Sequence, residues 1–443
     1  MRKPEIGNGF PVIAEITPEE RQEIEPGVAA FQEAFDGEEP RFLSRAPGRV
    51  NLIGEHTDYN GLPVLPMALR RGIRILCSPR DDSTVRVVNI EEEFPDREFE
   101  ISALISADPI GDWGNYLKAA CQMMARRFCG LLNEGDGDGL ASEPEAYRGF
   151  NAMVCSTLPV ASGLSSSSAL VIAMGQATLF ANGLEMDMLD FADNLARAER
   201  YTGTQGGGMD QAISAGAKAG HASRIEFNPL RLFDTPIPSD WRFIVAHTLV
   251  RAEKSGRVQD AYNSRTRECK RALDIVGPAA VEAGALSKKD ISYPNLLNSM
   301  CIDDLVEMGE EKLNGTLLKR FRHVVTEGTR VYDAEQALRR GDMLTFGMLM
   351  NASHESLRDD YDVSSRELDV LVELARNAGA AGARLTGAGF GGCVVILTDA
   401  ERAEKVYGAL AHGYYDGLPN LAGPMEEVLF VAEPWGGAVV LNL

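Results

Sequence analysis

Positive charge and long apolar runs are both scarce in this chain. Its 443 residues carry 44 Lys and Arg against 65 Asp and Glu, a net charge of −21. So acidic a surface repels nucleic acid and anionic lipid, and neither is expected as a partner. Any site for a phosphorylated ligand must then be made locally positive by backbone N–H groups, arginine or a metal ion. No apolar run approaches the roughly 20 residues a membrane-spanning helix needs. The seven cysteines form no C-x-x-C pair, which argues against a zinc knuckle or a dithiol motif; they read as reduced core residues of a cytoplasmic protein. The opening M-R-K-P-E-I-G-N-G-F has no apolar h-region, so no secretory signal is expected. G-x-x-x-x-G-K-[ST] is missing, and so is an H-R-D…D-F-G set, which sets aside P-loop NTPases and protein kinases. There is no solenoid-period repeat.

The composition, 44% hydrophobic and 25% charged, is that of a globular protein with a sizeable core. Residues 16–36 predict a helix opened by a Thr17/Glu20 capping box. Residues 41–100 predict strands, 113–129 an amphipathic helix, and 130–149 an exposed Gly- and acid-rich loop. A strand over 150–157, a loop and a helix from about Ser166 follow, with another helix at 186–202. Strands return after Arg224, residues 256–348 are mostly helical, and 382–397 reads as a loop followed by a buried strand. Strands and helices without regular alternation predict an α+β fold. The pattern divides near 225–245, giving expected domains at 1–235 and 236–443.

Three segments carry chemistry. In R-A-P-G-R-V-N-L-I-G-E-H-T-D-Y-N-G, Arg49, Glu55, His56 and Asp58 crowd beside an apolar strand, held by turn residues Gly48, Gly54, Asn60 and Gly61. That density suits a small polar ligand. In L-P-V-A-S-G-L-S-S-S-S-A (158–169), four serines open a helix. Their free N–H groups and hydroxyls, with the helix dipole, form an anion cradle lacking any basic residue; a heavily capped helix is the plainer alternative. T-G-A-G-F-G-G (386–392) is either a tight strand-entry turn or a place where backbone approaches a nucleotide.

These motifs, in this order, resemble the galactokinase family of the GHMP kinase superfamily. G-R-V-N-L-I-G-E-H-T-D-Y-N-G is similar to the galactokinase signature, P-V-A-S-G-L-S-S-S-S-A to the superfamily phosphate loop, and L-T-G-A-G-F-G-G-C to its third motif. W-G-N-Y-L-K (113–118), G-G-G-M-D-Q (206–211), Y-N-S-R-T-R-E-C (262–269), R-H-V-V (322–325) and S-H-E-S-L-R-D-D-Y-D-V-S (353–364) extend the likeness over about residues 40–400. The resemblance implies an N-terminal ribosomal-protein-S5-like domain, a C-terminal ferredoxin-like domain and an active site between them. It implies phosphorylation of the C1 hydroxyl of galactose by ATP with Mg2+, in a monomer. Asp210 would be the base and Arg49 would keep it ionised and neutralise phosphoryl charge. Glu55, His56, Asp58, Gly207 and Tyr262 would bind the sugar. Gly163, Leu164, Ser165, Ser166, Ser167, Ser168, Trp113, Gly387 and Gly389 would hold or border the nucleotide, with Ser166 and Glu199 on the metal. Plainer roles exist: a helix cap for Asp210, a solvated face for Glu199, a turn for His56, core packing for Trp113. His354 and Arg358 are expected to be structural.

The chain departs from the family pattern at Ala161–Ser162, where two glycines are usual; that variant resembles plant galactokinases and the N-acetylgalactosamine kinases, and opens the sugar 2-position to hydroxyl or acetamido. Arg366 replaces a usual proline and has no interpretation. A catalytically silent galactose/ATP sensor is a further alternative, although such sensors lack a Ser-Ala pair that Ser165–Ala169 retains.

Overall fold

The computed structural model describes residues 9–128, 147–159, 162–202, 206–250, 257–416, 418 and 423–443. The fold is α+β. A mixed seven-stranded sheet runs, edge to edge, through Ile13–Glu15, Val439–Asn442, Phe42–Asn51, Pro66–Pro79, Phe150–Ser156, Thr84–Asn89 and Arg97–Glu100. The helix Ser166–Ala181 lies against it. Every residue from Ser168 to Leu179 is buried, as expected for a helix apolar on all sides. Two polar groups key it in place: Ser44 donates to the Ala173 carbonyl (2.7 Å), and Gln176 donates to Ser44 Oγ and to the Val439 carbonyl (2.9 Å each).

A second, antiparallel sheet orders Gly382–Thr386, Cys393–Asp399, Trp241–His247 and Leu429–Ala432. The helices Arg257–Glu282, Gly315–Arg340, Met343–Asp359 and Arg366–Ala378 accompany it. The hairpin His221–Glu226/Arg231–Pro236 precedes this sheet.

The Thr17/Glu20 capping box forms, with both bonds at 3.1 Å, at the head of the helix Pro18–Ala34. Two details differ from the sequence pattern. Residues 382–386 are a buried strand, and the loop is confined to 387–392; a glycine and an arginine disguised an element buried on both faces. The last strand, Val439–Asn442, inserts between Ile13–Glu15 and Phe42–Asn51, so residues 236–443 do not all belong to one half. V-V-L-N is too short for its pattern to disclose a partner almost 400 residues away. Most of the acidic stretch 130–149 lies outside the described residues, as do Val160, Ala161 and Cys129. The six described cysteines are free; Cys301 is exposed.

Candidate active site

The strand Phe42–Asn51 delivers the first side chain through an irregularity. Its register against Pro66–Pro79 slips between Pro47 and Arg49, and such bulges re-aim side chains. A Cβ on Gly48 would sit 2.7 Å from the Leu164 carbonyl oxygen and from Leu158, so only glycine lets the phosphate loop lie this close. Arg49 N–H donates to that carbonyl (3.1 Å). Its side chain, 3% exposed as a residue, forks: Nε donates to Asp210 Oδ1 (2.8 Å) and Nη1 to the Gly163 carbonyl (2.6 Å). Burial opposes the charge of Arg49, but Asp210, Glu55 and Asp58 together hold its pKa above the ordinary value.

Asp210 stands in the first turn of the helix Met209–Gly216, entered through Gly208 at φ 101°. Its Oδ2 accepts from Ser165 Oγ at 2.5 Å. Ser165 is itself left-handed, φ 62°, at the cap of the helix Ser166–Ala181. Three residues on, Ser168 donates to Glu199 Oε1 (2.7 Å) and accepts from Gln211 (3.3 Å).

The signature loop completes the cleft. Burial, with Asp210 beside it, pushes Asp58 up to about 6. Asp58 Oδ2 accepts from Gly207 N–H (3.2 Å). Burial also raises Glu55, opposed by Arg384 and Arg49; Arg384 Nη2 reaches Glu55 Oε2 at 3.0 Å. Burial and the neighbouring His323 hold His56 well below the ordinary histidine range, hence neutral. Its Nε2 faces the Ala388 carbonyl (3.2 Å), which can only accept, so Nε2 carries the proton and Nδ1 accepts from Tyr59 Oη (2.9 Å). Tyr262 packs its ring 5.5 Å from that of His56.

Arg49, Glu55, His56, Asp58, Glu199, Gly207, Asp210, Tyr262 and Gly387 all line this one cleft. Gly207 is needed for packing, because its Cβ would lie 2.4 Å from Tyr59 N. Both nitrogens of His56 are engaged by protein groups, so it ties the signature loop to the third motif. Gly163 faces Gly387, whose Cβ would be 2.6 Å from the Gly163 carbonyl oxygen; the two Gly-rich loops touch there. Leu164 and Ser168 are fully buried, while Ser166 and Ser167 are half-buried at the helix start. Gly389 packs on Val363. Trp113 sits in the core, its indole N–H on the Pro95 carbonyl (3.0 Å) and its ring against Phe94; it does not line the cleft. His354 accepts from Leu385 N–H (3.3 Å) and Arg358 pairs with Asp359 at the surface.

Among residues the sequence left unmarked, Gln211 and Ala388 line the cleft, and Arg384 and His323 grip Glu55 from behind. The lone charge in G-A-R-L-T was a usable signal for Arg384. His323 sits in R-H-V-V, which carries part of the family likeness but no chemistry legible by itself.

A Mg2+ ion fits this donor set. Glu199 is a buried carboxylate on the cleft, bonded to the Ser168 hydroxyl, and Mg2+ commonly takes one or two carboxylates with phosphate and water completing its shell. The absence of a cluster of three His, Cys, Asp or Glu among the described residues is compatible with such a site.

Three family models match the chain: the galactokinase galactose-binding signature over residues 29–79, the GHMP kinases N terminal domain over 115–217 and the GHMP kinases C terminal domain over 334–416. A galactokinase of Chloroflexus aurantiacus is 38% identical over 388 residues, covering 87% of this chain and 91% of that protein. One from Haemophilus influenzae is 33% identical, covering 85% and 90%. A crystal structure of Lactococcus lactis galactokinase complexed with galactose superposes with a TM-score of 0.77 at 29% identity, covering 94% of this chain and 99% of that one. Methanococcus jannaschii mevalonate kinase, at 18% identity and a TM-score of 0.57, shares the fold.

Proposed function

The chain belongs to the galactokinase family of sugar kinases, and from that premise we propose that it transfers the γ-phosphoryl group of ATP to the C1 hydroxyl of D-galactose. The observation that carries this reading is the Arg49–Asp210 pair, set where the phosphate loop meets the sugar signature. In the step, Asp210 takes the proton of the C1 hydroxyl as that oxygen bonds to the γ-phosphorus. The bond from the γ-phosphorus to the β–γ bridging oxygen breaks, giving galactose 1-phosphate and ADP. Arg49 stabilises the charge spread over the phosphoryl oxygens, and the N–H groups at Ser165–Ser168 receive the remaining phosphates. Glu55, Asp58, Tyr262 and the backbone at Gly207 contact the sugar. His56 joins them by exchanging the Ala388 carbonyl for a hydroxyl. Glu199 and Ser166 would hold Mg2+, which would supply positive charge to offset that of the phosphates. Gly387 borders the nucleotide. A monomeric cytoplasmic protein goes with this reading.

The departure at Ala161–Ser162 favours a second reading at the sugar 2-position, N-acetylgalactosamine in place of galactose. A coupled ADP-release assay with MgATP tests both. Turnover of galactose over N-acetylgalactosamine and talose supports the first reading; the reverse preference moves the activity to the acetamido sugar. Folded protein that binds sugar and ATP without turnover would make it a sensor.

A further inference from the structure

We propose that Glu327 is a positioning residue for sugar recognition, acting through Glu55 without touching the ligand; this rests on the reading that Glu55 contacts the sugar. Glu327 lies mid-way along the helix Gly315–Arg340, fully buried, and is not among the residues lining the cleft. Three donors converge on its Oε1: Gly54 N–H at 2.9 Å, Glu55 N–H at 3.2 Å and Ser353 Oγ at 2.6 Å. Arg330 Nε donates to Oε2 at 2.7 Å. Burial works against the charge, but Arg330, His323, Arg384 and the Ser353 hydroxyl bring its pKa down to about 2. It is therefore an ionised acceptor at any working pH.

The arrangement is directed at one residue. Four positions earlier, on the same face of the helix, His323 Nε2 donates to the Glu55 carbonyl (3.1 Å). The amide and the carbonyl of Glu55 are thus both held by this helix, and Arg384 holds its carboxylate. Gly54, at φ 94°, makes the turn; a Cβ there would lie 2.7 Å from Val331 of the same helix and 2.9 Å from the Val64 backbone. A staple serving only to join the two halves of the fold could bond any part of the loop. This one fixes the peptide on each side of the carboxylate that enters the cleft.

The test is steady-state kinetics of Glu327→Gln with the two substrates varied separately. Glutamine keeps one oxygen for the amides but turns an NH2 toward the Arg330 donor. The sugar KM should rise about tenfold, the size of effect expected for a weakened bond to a charged group, with the ATP KM within about twofold of wild type. Loss of active fraction with both KM values unchanged would overturn the proposal, since that is what a purely structural residue does. Should Glu327→Gln not fold, Ser353→Ala decides: it removes one of the three donors that orient the carboxylate, and a sugar KM rising about threefold alone is expected. An unchanged sugar KM there would equally overturn it. Wild-type turnover across the sugar panel tests the functional reading separately, and the variant-to-wild-type KM ratio is taken with whichever sugar the wild type phosphorylates.

Discussion

Replacing Arg49 by lysine separates the shape of the guanidinium from its charge. Arg49 bridges two elements that meet only in the folded chain: Nε holds Asp210 at 2.8 Å, and Nη1 holds the Gly163 carbonyl of the phosphate loop at 2.6 Å. A lysine in this pocket keeps the positive charge but offers one compact ammonium in place of a planar fork, so it can serve one partner well and not both. The side chain is 4% exposed, so water does not readily replace the lost bond. Losing one hydrogen bond to a charged group costs about 1.5–3 kcal/mol, which at about 1.4 kcal/mol per decade is roughly a 10- to 100-fold loss. In the proposed step Asp210 acts on the proton of the attacking hydroxyl and the Gly163 loop on the phosphates, so the loss should appear in kcat. The assay is ADP release at saturating MgATP and galactose, with the thermal midpoint as a control for folding. If Arg49 acts only as the counter-charge of Asp210, lysine should substitute. A folded Arg49→Lys protein with kcat within about threefold of wild type would refute the bridging argument.

Asp210→Asn retains an acceptor for Arg49 and should leave the thermal midpoint nearly unchanged while lowering kcat by at least about 100-fold, the lower range for loss of a general base; near-normal turnover would remove its assigned role. Asp58, with its pKa raised from 3.8 to about 6 by burial and by Asp210, should give kcat/KM for galactose an acid limb near pH 6 that Asp58→Asn abolishes. The linkage runs the other way for stability: a carboxyl whose folded pKa is raised binds its proton more tightly when folded, so its stabilising contribution falls as pH rises from 3.8 to about 6, measurable by urea unfolding at both pH values. Gly207→Ala would drive a Cβ to 2.4 Å from Tyr59 N and 2.5 Å from Asp58. About 1–3 kcal/mol of destabilisation is expected from such overpacking, with a raised galactose KM because Asp58 must shift.

The parts of the site that could be read from the sequence are those whose chemistry is local. Arg49, Glu55, His56 and Asp58 fall within ten residues, so their crowding is visible without a fold. Asp210 lies 161 positions from Arg49, and nothing in M-D-Q-A-I-S distinguishes a base from a helix cap; only the resemblance singled it out. Glu327 had no signal at all. A glutamate in the amphipathic helix Gly315–Arg340 looks like a solvated face, and its partners Gly54 and Glu55 lie more than 270 residues earlier. The run Ser165–Ser168 is the instructive intermediate case. Read as four equivalent donors to an anion, it divides in the structure: Ser165 bonds Asp210 and Ser168 bonds Glu199, while Ser166 and Ser167 stand half-buried between them. Of the four only Ser165 and Ser168 are three apart and share one side of a helix start, so the spacing set that pair apart from Ser166 and Ser167. What the spacing could not supply was which side would meet the carboxylates. That depends on the left-handed turn at Ser165 and on the packing of the helices bearing Asp210 and Glu199, both of which are tertiary. The hydroxyls of Ser165 and Ser168 therefore bond carboxylates, and under the proposed function the phosphate-binding share of the run would fall to its backbone N–H groups and to Ser166 and Ser167.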